Sequence, residues 1–283
     1  MYVGICIICL LGLLAFLGWL VNVHILYLTS LLPQLLGDFY LNLSSNVKLA
    51  INPVSTGIYE GFIINGELKY AEPGPPSNDH CYILQSGSGS NIYRFEGCLR
   101  FLLENGRGHT RVFIIGIDWN KDDLHLLDYT HLLANYINRV NPRSLTLIGH
   151  SFGGIVCLNY VLFYEDPRLT NLVTVCTPIN GIVTIYRLQV LGWYLSERFN
   201  NIKPCSPELK TIRQKINEHL ALDTRTGALL KTKWLNIVSK TDLMVQKQMA
   251  YWPGIQTYYC SYEHGNILNQ PEVCIEILRQ HSY

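Results

Sequence analysis

Residues 145–157 read Leu-Thr-Leu-Ile-Gly-His-Ser-Phe-Gly-Gly-Ile-Val-Cys. Gly149, Ser151 and Gly153 form G-x-S-x-G, with an apolar β-type run directly before it and an apolar helical run directly after. A bare G-x-S-x-G arises by chance in about one chain in ten of this length, given ordinary glycine and serine frequencies. The flanks make it more informative. Leu145, Leu147 and Ile148 suit a buried strand, and Gly154, Ile155, Val156 and Leu158 suit a helix packed closely on a sheet. A strand turning this sharply into a helix strains the backbone at its middle residue. It also leaves no room for side chains two residues either side, so glycine is required there. The serine hydroxyl is lifted above the sheet, and the backbone N–H of Phe152 faces the same space. A glycine-rich strand-to-helix turn with an exposed serine is the alternative.

The rest of the chain repeats the strand–helix rhythm. Residues 58–70 alternate around Asn65-Gly66, a hairpin signal. Strands are expected at 81–84, 112–117, 144–149, 172–176, 234–238 and 256–260, with helices near 92–105, 124–140, 152–164 and 271–281. Strands alternating with helices predict an α/β fold, a mostly parallel sheet covered on both faces. Ligands of such sheets bind at the carboxyl ends of the strands. Ser88, Ser151, Thr177, Asp242 and His264 all follow predicted strands directly. Residues 182–231 break the rhythm, with an apolar, aromatic stretch from Ile182 to Phe199 and an amphipathic one from Leu209 to Leu222. A cap or lid is placed here, with ordinary core helices and long loops as the alternative.

The chain has 283 residues, a net charge of +1 and no basic stripe, so nucleic-acid binding has no support. Charged residues are 15% of the chain, against about 25% in typical soluble domains. The deficit is concentrated in residues 1–37, which contain no Asp, Glu, Lys or Arg. An apolar run from Tyr2 to Val21 would extend about 30 Å as a helix, one hydrocarbon core. Trp19 lies near its end, where aromatics favour the interface. A second run, residues 25–36, is interrupted by Pro33 and reads as an interfacial segment or stalk. Residues 1–37 are therefore expected to form a single-pass N-terminal membrane anchor, 38–57 a linker and 58–283 the globular domain. Secretion after signal-peptide cleavage is the alternative, although the run lacks a basic n-region and a small-x-small cleavage site. Of nine cysteines, Cys6 and Cys9 lie in the expected anchor, and the other seven show no C-x-x-C or Cys/His cluster, so no metal or redox site is implied. Cys157 and Cys176 read as buried free thiols.

A serine hydroxyl needs a base within reach, and the base needs a carboxylate to fix its tautomer. Only His219, His264 and His281 follow Ser151. His281 is near the end of the sequence and His219 lies in the expected cap. His264 sits in a short loop after the last strand, followed by Gly265, and is the candidate base. The acid is expected one strand earlier, where Val238-Ser-Lys-Thr-Asp242 runs from an apolar strand through a polar turn to an aspartate. Glu263 neighbours His264 but points away in an extended loop. The candidate oxyanion donors are the backbone N–H groups of Phe152 and of Ser88 in the loop Ser86-Gly-Ser-Gly89, with the register of the second open by one residue.

With Gly-His-Ser-Phe-Gly-Gly at 149–154, Thr177-Pro178-x-x-Gly181 after the next strand, the Asp242 segment and His264-Gly265, residues 58–283 resemble the α/β-hydrolase superfamily. The likeness is to its lipase-type and GPI inositol-deacylase-like serine hydrolases. The resemblance implies an α/β-hydrolase fold and cleavage of carboxylic esters, lipid or other acyl esters above all, by a Ser151–His264–Asp242 triad with no cofactor. One departure is Ser86-Gly87 at the oxyanion loop, where many lipases carry His-Gly. The anchor and apolar cap make the bilayer and a small hydrophobic ester the expected partners. An acyltransferase sharing the acyl-enzyme, or a catalytically silent binding protein on the same fold, are the alternatives.

Overall fold

The strand that precedes Ser151 is the fifth of eight in one sheet. In the computed structural model, residues 56–75, 79–88, 90, 92–106, 110–117, 124–182, 202–226 and 232–280 are described. The strands are β1 (Gly57–Ile64), β2 (Glu67–Ala71), β3 (His80–Gln85), β4 (Arg111–Gly116), β5 (Ser144–His150), β6 (Leu169–Val175), β7 (Lys233–Ser239) and β8 (Gln256–Cys260). They lie side by side in the order β2-β1-β4-β3-β5-β6-β7-β8. β1 runs antiparallel to both β2 and β4, and all pairings from β4 through to β8 are parallel. The β1–β2 hairpin turns through Asn65 and Gly66, at φ 53° and 78°, the paired left-handed residues of a type I′ turn.

Period-two alternation explains why the strands read as continuous apolar runs. Cys81, Ile83, Phe113, Ile115, Leu145, Leu147 and Leu172 enter one core cluster. Their neighbours Tyr82, Leu84, Val112, Ile114, Ile148 and Val173 enter a second cluster on the other face. The second face is covered by α1 (Glu96–Asn105), which is preceded by a 3₁₀ turn at Ile92–Phe95, and by α6 (Pro271–Arg279). The first face is covered by α2 (Leu126–Val140), α3 (Phe152–Tyr164) and α4 (Pro207–Thr226). A short α5 (Lys247–Ala250) lies between β7 and β8. α2 buries Leu126, Tyr129, Leu133, Ile137 and Val140 along one stripe, the spacing of a sheet-covering helix. α3 differs: every residue from Phe152 to Leu162 is buried, as befits a helix enclosed by neighbours on all sides.

The expected cap at 182–231 is corrected where it is described. α4 turns Leu209, Ile212 and Ile216 into the core cluster that holds Leu158, Val161 and Leu162 of α3. It is the crossover helix between the parallel neighbours β6 and β7, which cannot be joined by a tight turn. The same apolar spacing serves a lid and a layer helix alike, and here α3 is the surface that receives it. Residues 183–201 of that segment lie outside the described residues. So do the expected anchor at 2–21, the segment 25–36 and nearly all of the linker. Among the described residues no helix is long and apolar enough to cross a membrane.

Candidate active site

β5 ends at His150 and α3 begins at Phe152, so the whole turn is a single residue. Ser151 makes it at φ 55°, ψ −126°, backbone that an L-residue holds only when its surroundings enforce it. The enforcement is visible on both sides. The Ser151 N–H donates to the Val175 carbonyl at 2.9 Å, and the Gly154 N–H donates to the Ser151 carbonyl at 3.0 Å. The two predicted glycines are required by close approach. A Cβ on Gly149 would lie 2.5 Å from the Gly154 Cα, and one on Gly153 would lie 2.5 Å from the Ser86 carbonyl oxygen.

These obstacles are backbone atoms and cannot rotate away. Gly153→Ala is therefore expected to lose about 1–3 kcal/mol of stability, the usual range for overpacking. It should also push the elbow away from the 86–88 loop. Thermal unfolding measures the first effect, and the rate of labelling by a serine-directed probe measures the second.

The loop after β3 approaches the serine from the opposite side. A Cβ on Gly87 would sit 2.7 Å from the Ser151 Cβ and 3.3 Å from its Oγ. The Ser90 N–H donates to the Gly87 carbonyl at 3.3 Å and closes the turn that holds half-buried Ser88. Phe152 buries its ring against Tyr129, with centroids 5.6 Å apart. Its backbone stands at the first position of α3, the positive end of that helix.

Asp242 follows β7 and His264 follows β8, as expected, and the structure brings them together. The His264 Nδ1 donates to Asp242 Oδ2 at 2.6 Å. Asp242 Oδ1 accepts the N–H groups of Met244 and Val245, each at 2.8 Å, so both carboxylate oxygens are committed. The Asp242 side chain is fully buried. Burial alone would raise its carboxyl. The charge and hydrogen bond of His264, with the Val245 N–H and the Cys176 thiol, outweigh burial and hold it below the usual carboxylate range. A carboxylate held this way fixes the proton on His264 Nδ1 and leaves Nε2 as the acceptor.

Ser151 is joined to this pair through its neighbour: His150 Nε2 lies 3.0 Å from the His264 carbonyl oxygen. Of the other histidines weighed, His219 is half-buried on α4 and His281 lies outside the described residues.

Two residues of the site escaped the sequence reading. His150 occupies a variable position of the G-x-S-x-G pattern, and its contact with His264 spans 114 positions. Cys176 is a buried free thiol, as expected. It stands at φ 45°, and its thiol, pushed well up by burial and then by Asp242, has its sulfur within 4.8 Å of ligand atoms of Asp242 and His264. Nothing in the sequence flags either contact. Cys176, Asp242 and His264 are the one group among the described residues with metal-ligand atoms within 4.8 Å of one another. The 2.6 Å separation of His264 Nδ1 and Asp242 Oδ2 is a hydrogen bond. Two ligands of a tetrahedral ion, each about 2.0 Å from it, would stand farther apart.

Residues 100–275 match the family described as alpha/beta hydrolase fold. The chain is 27% identical over 248 residues to protein phosphatase methylesterase 1 of Schizosaccharomyces pombe, an alignment covering 78% of this chain and 67% of that protein. Among solved structures it is similar to a Bacillus licheniformis lipase in mature form, at a TM-score of 0.57 and 14% identity over 78% of this chain and 98% of that one. In its propeptide form the same lipase is longer, and the match covers 53% of it. A carboxylesterase from Bacillus subtilis aligns at a TM-score of 0.54 and 15% identity over 88% of this chain and 98% of that one. At such identities the structural likeness speaks for the fold. The sheet order, the single-residue turn at Ser151 and the family match over residues 100–275 agree, and this chain belongs to the α/β-hydrolase fold family.

Proposed function

We propose that this protein is a serine hydrolase of carboxylic esters. Ser151 Oγ attacks the ester carbonyl, and His264 Nε2 takes its proton. His264 returns that proton to the departing alcohol, leaving the acyl group on Ser151. A water, deprotonated by His264 in turn, releases the acid and restores the serine. Asp242 stabilises the imidazolium and keeps its tautomer. The N–H groups of Phe152 and Ser88 receive the oxyanion, a contribution of about 3 kcal/mol per donor. The observation that carries this reading is the buried 2.6 Å contact between His264 and Asp242, hung from the ends of β8 and β7, the last two strands of the sheet. Acid, base and hydroxyl occur in the chain order Ser, Asp, His that suits this elbow.

Lipid or other long acyl esters are the substrates proposed, with residues 2–21 tethering the domain to a bilayer. The charge-free apolar opening of the sequence supports this. A second reading is removal of a methyl ester from a carboxylate, supported by the relative named a methylesterase. Fluorophosphonate labelling of wild type beside Ser151→Ala tests the chemistry, and a p-nitrophenyl ester series of rising chain length tests the substrate. Rates that climb with chain length favour the lipid reading. Rates confined to the shortest acyl groups would sink it and leave the ester chemistry standing. Added alcohol or amine acceptors that divert the acyl group would identify an acyltransferase. Deletion of residues 1–37 is expected to move the protein from the alkali-resistant membrane fraction to the supernatant. Unchanged partitioning would remove the anchor from the proposal.

A further inference from the structure

The residue immediately before Ser151 is a histidine with almost no exposure to solvent, 2% of its surface. Its Nε2 lies 3.0 Å from the main-chain carbonyl of His264. A carbonyl only accepts, so Nε2 carries the proton and donates. Nδ1 is then a bare acceptor, buried with no hydrogen-bond partner among the described residues. The His150 ring also lies against the His264 ring, with centroids 4.6 Å apart and planes tilted by 41°, and takes an edge contact from Phe95 at 5.6 Å.

An orphaned ring nitrogen makes histidine a poor choice for filling a buried space, where an aliphatic side chain would avoid the penalty. What histidine adds here is the Nε2–H, and that group is spent on the backbone of the candidate base. We propose that His150 is a positioning residue. Its Nε2–H pins the His264 carbonyl to the end of the elbow strand, and its ring sets the tilt of the His264 imidazole toward Ser151. Asp242 holds the same imidazole from its other edge. The base is thus fixed at two points, by its side chain to the loop after β7 and by its main chain to the residue next to the nucleophile.

The two imidazoles also divide their protonation. Burial, reinforced by His264 and Arg94, pushes His150 well below the ordinary imidazole range. It therefore stays neutral when His264 takes the serine proton, so the imidazolium forms beside an uncharged ring. The groups facing His150 are His264 from the loop after β8 and Arg94 and Phe95 from the turn before α1.

This inference rests on His264 being the base of the proposed reaction. The test compares wild type with His150→Leu, which fills the space without a donor, and His150→Gln, whose amide N–H reaches where Nε2 did. Single-turnover fluorophosphonate labelling, kcat and KM on an activated short-chain ester, and melting temperature are measured for each. His150→Leu is expected to lower kcat and the labelling rate by about 10- to 100-fold, the range for a slightly misplaced catalytic group, with KM nearly unchanged. His150→Gln is expected to restore most of that loss.

Should the leucine variant fail to fold, His150→Asn replaces it. Its shorter amide falls short of the carbonyl, and it is expected to lose rate as leucine does. A leucine variant, or the asparagine variant in its place, with wild-type kcat would overturn the proposal. So would leucine and glutamine variants whose rates fall together in step with their melting temperatures. Ser151→Ala and His264→Ala are run alongside. Hydrolysis that survives in them overturns the parent reading and this one with it. Hydrolysis lost in them but untouched in His150→Leu overturns this one alone.

Discussion

Ser151→Ala is expected to abolish fluorophosphonate labelling and to lower kcat on an activated ester by about 10⁶-fold, equivalent to about 8 kcal/mol of barrier. The fold should persist, because the substitution removes one hydroxyl from a half-buried residue and keeps the Cβ that the strained turn already tolerates. Ser151→Gly separates function from strain. At φ 55°, ψ −126° the glycine variant escapes a backbone penalty of about 1–3 kcal/mol. It is expected to melt above the alanine variant while being equally inactive. Such a rise would show that the turn stores strain for the sake of the hydroxyl, the stability–activity trade familiar at functional sites. A Ser151→Ala protein that still takes the probe would remove Ser151 as nucleophile. A well-folded wild type that takes none would favour a binding protein on this fold.

What the sequence disclosed about this site depended on chain order at strand ends. Ser151, Asp242 and His264 each follow a strand within a few residues. In a parallel sheet all such positions gather at one edge, however far apart they lie in sequence. That rule needs no knowledge of packing, so it found the Asp242–His264 contact. Features that depend on packing were hidden. Leu209, Ile212 and Ile216 have a spacing that a lid and a layer helix share, and only their burial against α3 separates the two. His150 appeared as a variable residue of a motif because its partner lies in a loop after β8. Cys176 reaches Asp242 because the end of β6 lies beside the end of β7, a juxtaposition set by sheet order. The glycines show an intermediate case. Gly149 and Gly153 were legible as needing space, but that Gly153 clears the Ser86 carbonyl became visible only once β3 stood beside β5.

Asp242→Asn is expected to lower kcat by about 10⁴-fold, equivalent to about 5.5 kcal/mol, with the fold intact. The direction follows from the two oxygens. Oδ1 accepts the N–H groups of Met244 and Val245, so in the variant the amide carbonyl is retained there. The amide NH₂ is then turned toward His264 Nδ1, which must become the acceptor. The imidazole proton moves to Nε2, the nitrogen that has to take the proton of Ser151, and the base is disabled by tautomer rather than by distance. The pH dependence separates this from general damage. In wild type the Asp242 carboxyl is held below its ordinary value, whereas in the unfolded chain an aspartate titrates at about 3.9. Its contribution to stability is therefore fully present above about pH 4 and is lost as pH falls through the depressed folded value. Asp242→Asn should be less stable than wild type at neutral pH, and the gap should close below about pH 4. The activity loss should persist across about pH 5 to 9, because Asp242 remains ionised in wild type throughout that range. Rate profiles over that range and melting curves at pH 7 and pH 3 measure both. A variant that hydrolyses ester at the wild-type rate would show that Asp242 anchors the loop after β7 without steering His264.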